Sequence, residues 1–139
     1  MPFDNNVTIL VVDDDRVDIM AVRRAFRLSG LDNAMVFAAD GIEALEKLRD
    51  GKSVPRPFLV LLDLNMPRMN GIEFLDAARK DPALCDSVVF ILTTSKDLVD
   101  KRKAYSRNVA GYIVKEDTRD GYINTAGLLE SYARIVELP

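Results

Sequence analysis

Residues 8–15 have the sequence Thr8-Ile9-Leu10-Val11-Val12-Asp13-Asp14-Asp15, a short apolar and β-branched run that ends abruptly in three acids. Such a run is typical of a strand that is buried on both faces, as in a parallel sheet. The three carboxylates then lie at the C-terminal end of this strand. Ligands of open α/β sheets bind beyond the carboxyl ends of the strands, so this end is the first candidate for a functional site.

Four more apolar runs follow, and each of them also leads into a polar side chain. The runs 58–62, 88–92 and 111–114 are closed by Asp63, Thr93 and Lys115, and the run 34–39 leads into Asp40. A segment with helical spacing follows each of the five runs, at 16–28, 40–51, 70–80, 96–107 and 118–136. This alternation predicts an α/β fold, a doubly wound five-stranded parallel sheet in a three-layer sandwich, because parallel strands need right-handed crossover connections. We expect residues 1–139 to form a single domain without an output domain.

The first and last helices each carry two apolar sets, more than one core face needs. In the first helix the sets are Val17, Met20, Ala21, Ala25 and Leu28, and then Ile19, Val22 and Phe26. In the last helix they are Tyr122, Ala126, Leu129, Ala133 and Val136, and then Leu128, Tyr132 and Ile135. The final trio lies off the face expected to cover the sheet. It predicts that the last helix buries a second surface, with a homodimer as the natural outcome and coverage by a partner protein as the alternative.

The composition excludes several classes of function. The 139 residues include no histidine, which excludes imidazole metal sites, histidine-based triads and a phosphohistidine on this chain. With a net charge of -3 and scattered basic residues, we expect no nucleic-acid binding. The chain shows neither a signal-peptide pattern nor an apolar run of about 18 residues, so we expect a cytoplasmic protein without membrane contact. Cys85 is the only cysteine, and we predict that it is a buried small hydrophobe.

Parallel strands end at one edge of a sheet, so the strand-end side chains should converge, namely Asp13, Asp14, Asp63, Thr93 and Lys115. Carboxylates this close repel one another unless a cation offsets their charge, and an oxygen-only set suits a hard ion such as Mg²⁺. Asp63 would then be the nucleophile in phosphoryl transfer. Mg²⁺ and Lys115 would neutralise developing charge, and the Thr93 hydroxyl would donate a hydrogen bond. The nearby acids Asp15 and Asp18 are interpreted as helix caps or solvated turn residues.

The chain resembles a response-regulator receiver domain of two-component signalling. The matching segments are 9–15, 61–71, 91–95 and 111–115, in family order. The resemblance implies the flavodoxin-like receiver fold, and phosphorylation of Asp63 by a partner sensor histidine kinase. It implies that Asp14, Asp63 and the backbone carbonyl of Asn65 bind Mg²⁺ directly, whereas Asp13 acts mainly through a bound water. It also implies that Thr93 and Tyr112 are the switch pair and that Lys115 contacts the phosphate.

Within that family, segments 18–26, 64–71 and 108–113 are most similar to single-domain regulators paired with bacterial phytochrome kinases. This similarity implies a phytochrome-type kinase as the donor and favours a homodimer. One residue departs from the family pattern, because Glu116 follows Lys115 where proline is usual. We predict that the Lys115–Glu116 bond is nevertheless cis, since Lys115 must still reach the phosphoryl group and strained bonds persist at such sites.

Two other functions start from similar residues. A phosphatase of the haloacid dehalogenase type also uses a strand-end aspartate and magnesium, but it needs a second acid two residues later, where this chain has Asn65. A receiver-like binding module that works without phosphate typically lacks one of the acids or the lysine, and all are present here. Flavin binding is disfavoured further, because no Gly-rich or Ser/Thr-rich phosphate loop follows the first strand.

Overall fold

The computed structural model describes residues 6–115 and 119–139, without the side chains of 119 and 120. In this part of the chain, five strands alternate with five helices. The strands are β1 (Thr8–Val12), β2 (Met35–Ala38), β3 (Phe58–Leu62), β4 (Val88–Thr93) and β5 (Gly111–Val114). The helices are α1 (Arg16–Leu28), α2 (Gly41–Arg49), α3 (Gly71–Lys80), α4 (Leu98–Tyr105) and α5 (Arg119–Ile135).

The strands form one sheet in the order β2-β1-β3-β4-β5, and every pairing is parallel. The chain starts at β1, moves outward to β2, crosses back past β1 to β3 and continues to β5. The polar residues that follow the strands therefore reach a single edge of the sheet. This topology confirms the predicted doubly wound α/β fold.

Two hydrophobic cores lie on opposite faces of the sheet, because successive side chains of a strand alternate in direction. In β1, Leu10 and Val12 belong to the core that α2, α3 and α4 cover, whereas Ile9 and Val11 belong to the core under α1 and α5. Strands β1 and β3 are buried along their whole length. The structure is thus the three-layer sandwich expected from the apolar runs.

Side-chain caps begin the first three helices. The Asp15 carboxylate accepts from the N–H of Val17 at 2.9 Å, which confirms Asp15 as the cap of α1. Asn70 and Glu73 form a complete capping box at the start of α3. Asp40 caps α2 by accepting from the N–H of Glu43, and the carboxylate of Glu43 accepts from the N–H of Ala39 at 2.9 Å.

The apolar faces of α1 and α5 differ from the predicted sets. In α1 the buried residues are Val22, Ala25 and Phe26, and Val17 and Met20 of the first predicted set are exposed. The second set of α1 therefore faces the sheet, joined by Ala25. Helix spacing alone does not say which of two apolar stripes is covered, since that depends on how the helix is rotated against its neighbours.

In α5, two residues differ from their predicted positions, namely Tyr132 and Val136. Tyr132 packs into the core beneath α1 and α5, with its ring edge-on to Phe90 at a centroid distance of 5.0 Å. Val136 lies just beyond the helix end and is exposed. The predictions for these two residues are wrong, whereas Leu128 and Ile135 are exposed as expected.

Cys85 is exposed, so the prediction of a buried cysteine is wrong. It lies in the turn after α3, where its backbone N–H donates to the Asp81 carbonyl. Among residues 6–115 and 119–139, none of the helices has the length and hydrophobicity that crossing a membrane requires. The predicted cis bond between Lys115 and Glu116 lies outside the described residues.

Candidate functional site

The strand ends bring the predicted side chains together at one edge of the sheet. Hydrogen bonds of the sheet continue one residue past the strands. The N–H of Asp63 donates to the Val12 carbonyl at 2.9 Å, and the N–H of Lys115 donates to the Thr93 carbonyl at 2.7 Å. These bonds fix the points at which the functional side chains leave the backbone.

Three carboxylates, those of Asp13, Asp14 and Asp63, form an acidic cluster at this edge. One oxygen of each lies within 4.8 Å of the others. Asp13 and Asp63 are buried, and Asp14 is exposed. Burial raises the pKa of Asp13 to about 6, against the lowering effect of its hydrogen bonds from Lys115 and from the N–H of Asp15. Burial therefore makes the ionised form of Asp13 less favourable than that of an exposed aspartate, and a bound cation would offset this effect.

The acidic cluster fits a hard divalent cation. Its donors are carboxylate oxygens, which Mg²⁺ prefers, and a cation would stabilise the charge that burial disfavours. Asn65, the fourth predicted ligand, is exposed, and its backbone nitrogen lies 3.5 Å from Asp63 Oδ1. The Asp13 carboxylate also accepts a hydrogen bond from Lys115 Nζ at 2.8 Å.

The ammonium of Lys115 is buried among three carboxylates. Its Nζ lies 2.8 Å from Asp13 Oδ2, 2.7 Å from Asp18 Oδ2 and 3.4 Å from Asp63 Oδ2. Burial by itself lowers the pKa of a lysine, but the hydrogen bonds to Asp13 and Asp18 outweigh it and hold the pKa of Lys115 above its ordinary value. A fixed positive charge thus stands beside Asp63.

Asp18 belongs to this site, so its interpretation as a cap or solvated turn residue is wrong. It lies in the first turn of α1, its side chain is 18% exposed, and its second oxygen accepts from the Tyr122 hydroxyl at 2.9 Å. One signal could have located it. An acid in the first turn of a helix that directly follows strand-end acids is held close to the same edge.

Thr93 and Tyr112, the predicted switch pair, meet at Ser95. Thr93 is fully buried, and its Oγ1 accepts from the N–H of Ser95 at 3.4 Å. The half-buried Tyr112 donates its hydroxyl to the Ser95 carbonyl at 2.9 Å. The Ser95 hydroxyl in turn donates to Asp100 on α4 at 2.6 Å. A continuous set of hydrogen bonds therefore joins the ends of β4 and β5 to α4.

A parallel α/β sheet that gathers carboxylates, a hydroxyl and an ammonium at one edge has the fold and the site of a receiver domain. The chain belongs to the response regulator receiver domain family, whose sequence profile matches residues 9–125. Response regulators of this kind are signalling proteins rather than enzymes of metabolism.

Two sequence relatives illustrate the range of the family. Response regulator Rcp1 of Synechocystis sp. is 31% identical over 135 residues, which cover 94% of this chain and 92% of Rcp1. The probable methanogenesis regulatory protein FilR2 of Methanothrix harundinacea is 38% identical over 111 residues, which cover 77% of this chain and 70% of FilR2.

Solved structures are similar over nearly the whole chain. The phosphorylated cyanobacterial phytochrome response regulator RcpA has a TM-score of 0.86 at 31% identity, covering 96% of this chain and 99% of RcpA. RPA3017, a response regulator in red light signalling of R. palustris, has a TM-score of 0.85 at 28% identity, covering 96% and 98%. The Mn²⁺-bound form of Rcp1 has a TM-score of 0.83 at 31% identity, covering 96% and 99%.

Proposed function

We propose that this chain is a phosphorylation switch that accepts a phosphoryl group on Asp63 from a sensor histidine kinase. One observation carries the proposal. The buried Asp63 carboxylate shares an acidic cluster with Asp13 and Asp14 and lies 3.4 Å from the Lys115 ammonium. Phosphoryl transfer is catalysed mainly by positioning and by charge stabilisation, and this arrangement supplies both.

In the proposed reaction an oxygen of Asp63 attacks the phosphorus of a phosphohistidine. The phosphorus–nitrogen bond breaks, an acyl phosphate forms on Asp63, and the donor imidazole leaves and takes up a proton. The phosphohistidine belongs to another protein, because this chain contains no histidine. Lys115 would pair with a phosphoryl oxygen, and the Thr93 hydroxyl would donate a hydrogen bond to another.

Mg²⁺ would be held directly by Asp14, Asp63 and the backbone carbonyl of Asn65, and through a water by Asp13. When bound, it neutralises part of the negative charge on the transferring phosphoryl group. The Mn²⁺-bound form of Rcp1 supports a divalent cation in this family.

A phytochrome-type kinase is the donor that the relatives favour. RcpA is a phytochrome response regulator and RPA3017 acts in red light signalling. Both match this chain along almost its full length. Transfer from an autophosphorylated phytochrome-type kinase to this chain, compared with transfer from an unrelated kinase, would test this choice of partner.

Phosphorylation would act through altered contacts with other proteins, in a shuttle, a phosphorelay or a phosphate sink. The Thr93–Ser95–Tyr112 hydrogen bonds offer a route by which the state of Asp63 reaches α4 and β5. Biasing an equilibrium between two arrangements of these elements is enough to change a binding surface. A homodimer through α5 remains part of this proposal.

Intact-mass measurement tests the proposal. Incubation with acetyl phosphate and Mg²⁺ should add one acid-stable, base-labile phosphoryl group to the wild-type chain. Asp63→Asn should remove the added mass, and chelation of Mg²⁺ should prevent its appearance. Asp86→Asn, at an exposed aspartate after α3, is the matched control and should be labelled normally. Normal labelling of Asp63→Asn would refute the assignment.

A further inference from the structure

The shortest contact of Lys115 is with Asp18, not with the proposed phosphoacceptor. Nζ lies 2.7 Å from Asp18 Oδ2 and 2.8 Å from Asp13 Oδ2, compared with 3.4 Å from Asp63 Oδ2. An ammonium has three N–H donors in tetrahedral directions. Two donors are therefore engaged in short bonds, and these fix the direction of the third. That third donor makes only a long contact with Asp63, which leaves it suited to a phosphoryl oxygen.

Asp18 is itself held from a second side. Its Oδ1 accepts from the Tyr122 hydroxyl at 2.9 Å while its Oδ2 accepts from Lys115. The carboxylate therefore cannot rotate without losing a partner. Tyr122 lies on α5 and packs against the core between α1, α5 and the sheet, so its hydroxyl has a defined position.

Asp18 also brings a negative charge close to the place where an anionic phosphoryl group would form. Charge and orientation have opposite effects on phosphorylation. The charge opposes an incoming anion, whereas the hydrogen bond aims the lysine toward it. Only variants of equal charge can separate the two effects.

We propose that Asp18 is a positioning residue for Lys115 and that Tyr122 holds Asp18 in place. Asp18 sets the direction of the third Lys115 N–H toward the oxygens of a phosphoryl group on Asp63, and it acts through Lys115 alone. The inference rests on the proposed function, because the positioned lysine serves the phosphoryl group on Asp63. It makes α1 and α5 part of the machinery that sets the rate of phosphorylation.

The first test compares Asp18→Asn with Asp18→Ala, which remove the same charge. Asn keeps an oxygen acceptor of similar shape, and Ala keeps none. With acetyl phosphate and Mg²⁺, Asp18→Ala should be labelled about tenfold more slowly than Asp18→Asn, the loss expected for one hydrogen bond to a charged group. Equal labelling rates of the two variants would overturn the proposal.

Tyr122→Phe changes no charge and removes only the hydroxyl that holds Asp18. It should be labelled about threefold more slowly than wild type, since one hydrogen bond between a hydroxyl and the carboxylate is lost. Tyr132→Phe, the same substitution further along α5, is the matched control and should be labelled at the wild-type rate. Wild-type labelling of Tyr122→Phe would overturn the role given to Tyr122.

A second comparison asks whether Asp18 acts through the lysine. In a Lys115→Ala background, Asp18→Ala and Asp18→Asn should be labelled at the same rate, because the group that they position is gone. A difference that persists in this background would show a general structural role for Asp18 and would overturn the proposal.

A third measurement needs no phosphoryl donor and thus separates this inference from the proposed function. In ¹H–¹⁵N correlation NMR spectra of the unphosphorylated protein, the Lys115 ammonium protons should be protected from exchange with water in wild type and in Asp18→Asn. They should lose this protection in Asp18→Ala. Equal protection in the two variants would refute the positioning role. Failure of wild type to be labelled at Asp63 would refute the proposed function instead.

Discussion

Asp40 and Arg68 join the loop after Asp63 to the start of α2. Arg68 Nε lies 2.6 Å from Asp40 Oδ2, and the buried Asp40 also caps α2 by accepting from the N–H of Glu43. The hydrogen bond from Arg68 lowers the pKa of Asp40, against the opposing effect of burial. Arg68 has a positive φ of 61°, so its backbone conformation is one that an unanchored loop would not favour.

This pair predicts a pH-dependent contribution to stability. A carboxyl group whose pKa is lowered in the folded state stabilises the fold above its unfolded pKa of 3.8, and the stabilisation is lost as the pH falls through the lower folded value. Asp40→Asn keeps a capping side chain but loses the ion pair. It should therefore have a lower urea midpoint than wild type at pH 7, and the difference should shrink as the pH falls below 3.8 and through the lower pKa of the folded state. A difference that stays constant with pH would contradict the ion pair.

The site residues that could be predicted share one property, and the missed residue lacks it. Asp13, Asp63, Thr93 and Lys115 lie at the C-terminal ends of strands, so parallel topology alone brings them to one edge. Asp18 depends on the rotation of α1 about its axis and on a tyrosine more than 100 positions later in the chain. Sequence periodicity carries neither piece of information.

Gly71 lets α3 begin directly against the strand end that carries Asp63. A Cβ at this position would clash with the backbone oxygen of Asp63 and would lie 2.9 Å from the Cα of Leu64. The N–H of Gly71 also donates to the Leu64 carbonyl at 3.0 Å. The backbone at Asp63 and Leu64 and the first turn of α3 therefore pack without an intervening side chain.

Gly71→Ala should destabilise the fold by about 2 kcal/mol, because backbone atoms must shift to admit the methyl group. Its phosphorylation should also be slower, since the displaced atoms include the backbone of Asp63. Gly127→Ala on α5 is the control, because a Cβ there meets nothing within 4 Å. That variant should gain about 0.5–1 kcal/mol from the better helix propensity of alanine. Urea unfolding measures both, and equal effects would contradict the close approach.

The hydrogen bond from Tyr112 to Ser95 predicts that phosphorylation of Asp63 would change the environment of α4. Beryllofluoride with Mg²⁺ should shift the amide NMR signals of Ser95, α4 and β5, and Tyr112→Phe should reduce the shifts on α4 because it loses the hydrogen bond to the Ser95 carbonyl. Tyr105→Phe, at an exposed tyrosine on α4, is the control. Shifts confined to Asp63 and its direct neighbours would show that this coupling is absent.

Most element boundaries follow from caps and buried runs, and the exception is α4. The strands β1, β3 and β5 and the helix α1 have the predicted bounds, and the bounds of β2, β4, α2, α3 and α5 differ from the prediction by one or two residues at an end. Helix α4 spans Leu98–Tyr105 rather than 96–107, because Asp97 caps it by accepting from the N–H of Val99 at 2.8 Å. Only Ala104 of this helix is buried, so no strong apolar period marks its ends.

In the part of the chain that the structure describes, three large apolar residues on α5 or just after it are exposed. Leu128 is 46% exposed, Ile135 is 71% exposed and Val136 is 39% exposed. Tyr132 no longer counts toward this surface, since it packs against Phe90. Burial of the remaining three against a second copy of the chain is the basis of the proposed homodimer.

Sedimentation at high micromolar concentration should therefore show a dimer. A variant with both Leu128→Glu and Ile135→Glu should be monomeric, because burying unpaired charges in an interface is costly. Val17→Glu, at an exposed apolar residue on α1, is the control and should leave the dimer intact. A wild-type protein that is monomeric with and without beryllofluoride would rule out the homodimer.

Whether Asp63 itself carries the phosphoryl group is decided by trapping the acyl phosphate chemically. The protein is treated with acetyl phosphate and Mg²⁺ and then with borohydride, which reduces an aspartyl phosphate to homoserine, and peptide mass spectrometry locates the product. We predict homoserine at position 63 alone, and none when acetyl phosphate is omitted. Homoserine at Asp13 or Asp14 with Asp63 unchanged would contradict the assignment of Asp63 as the phosphoacceptor.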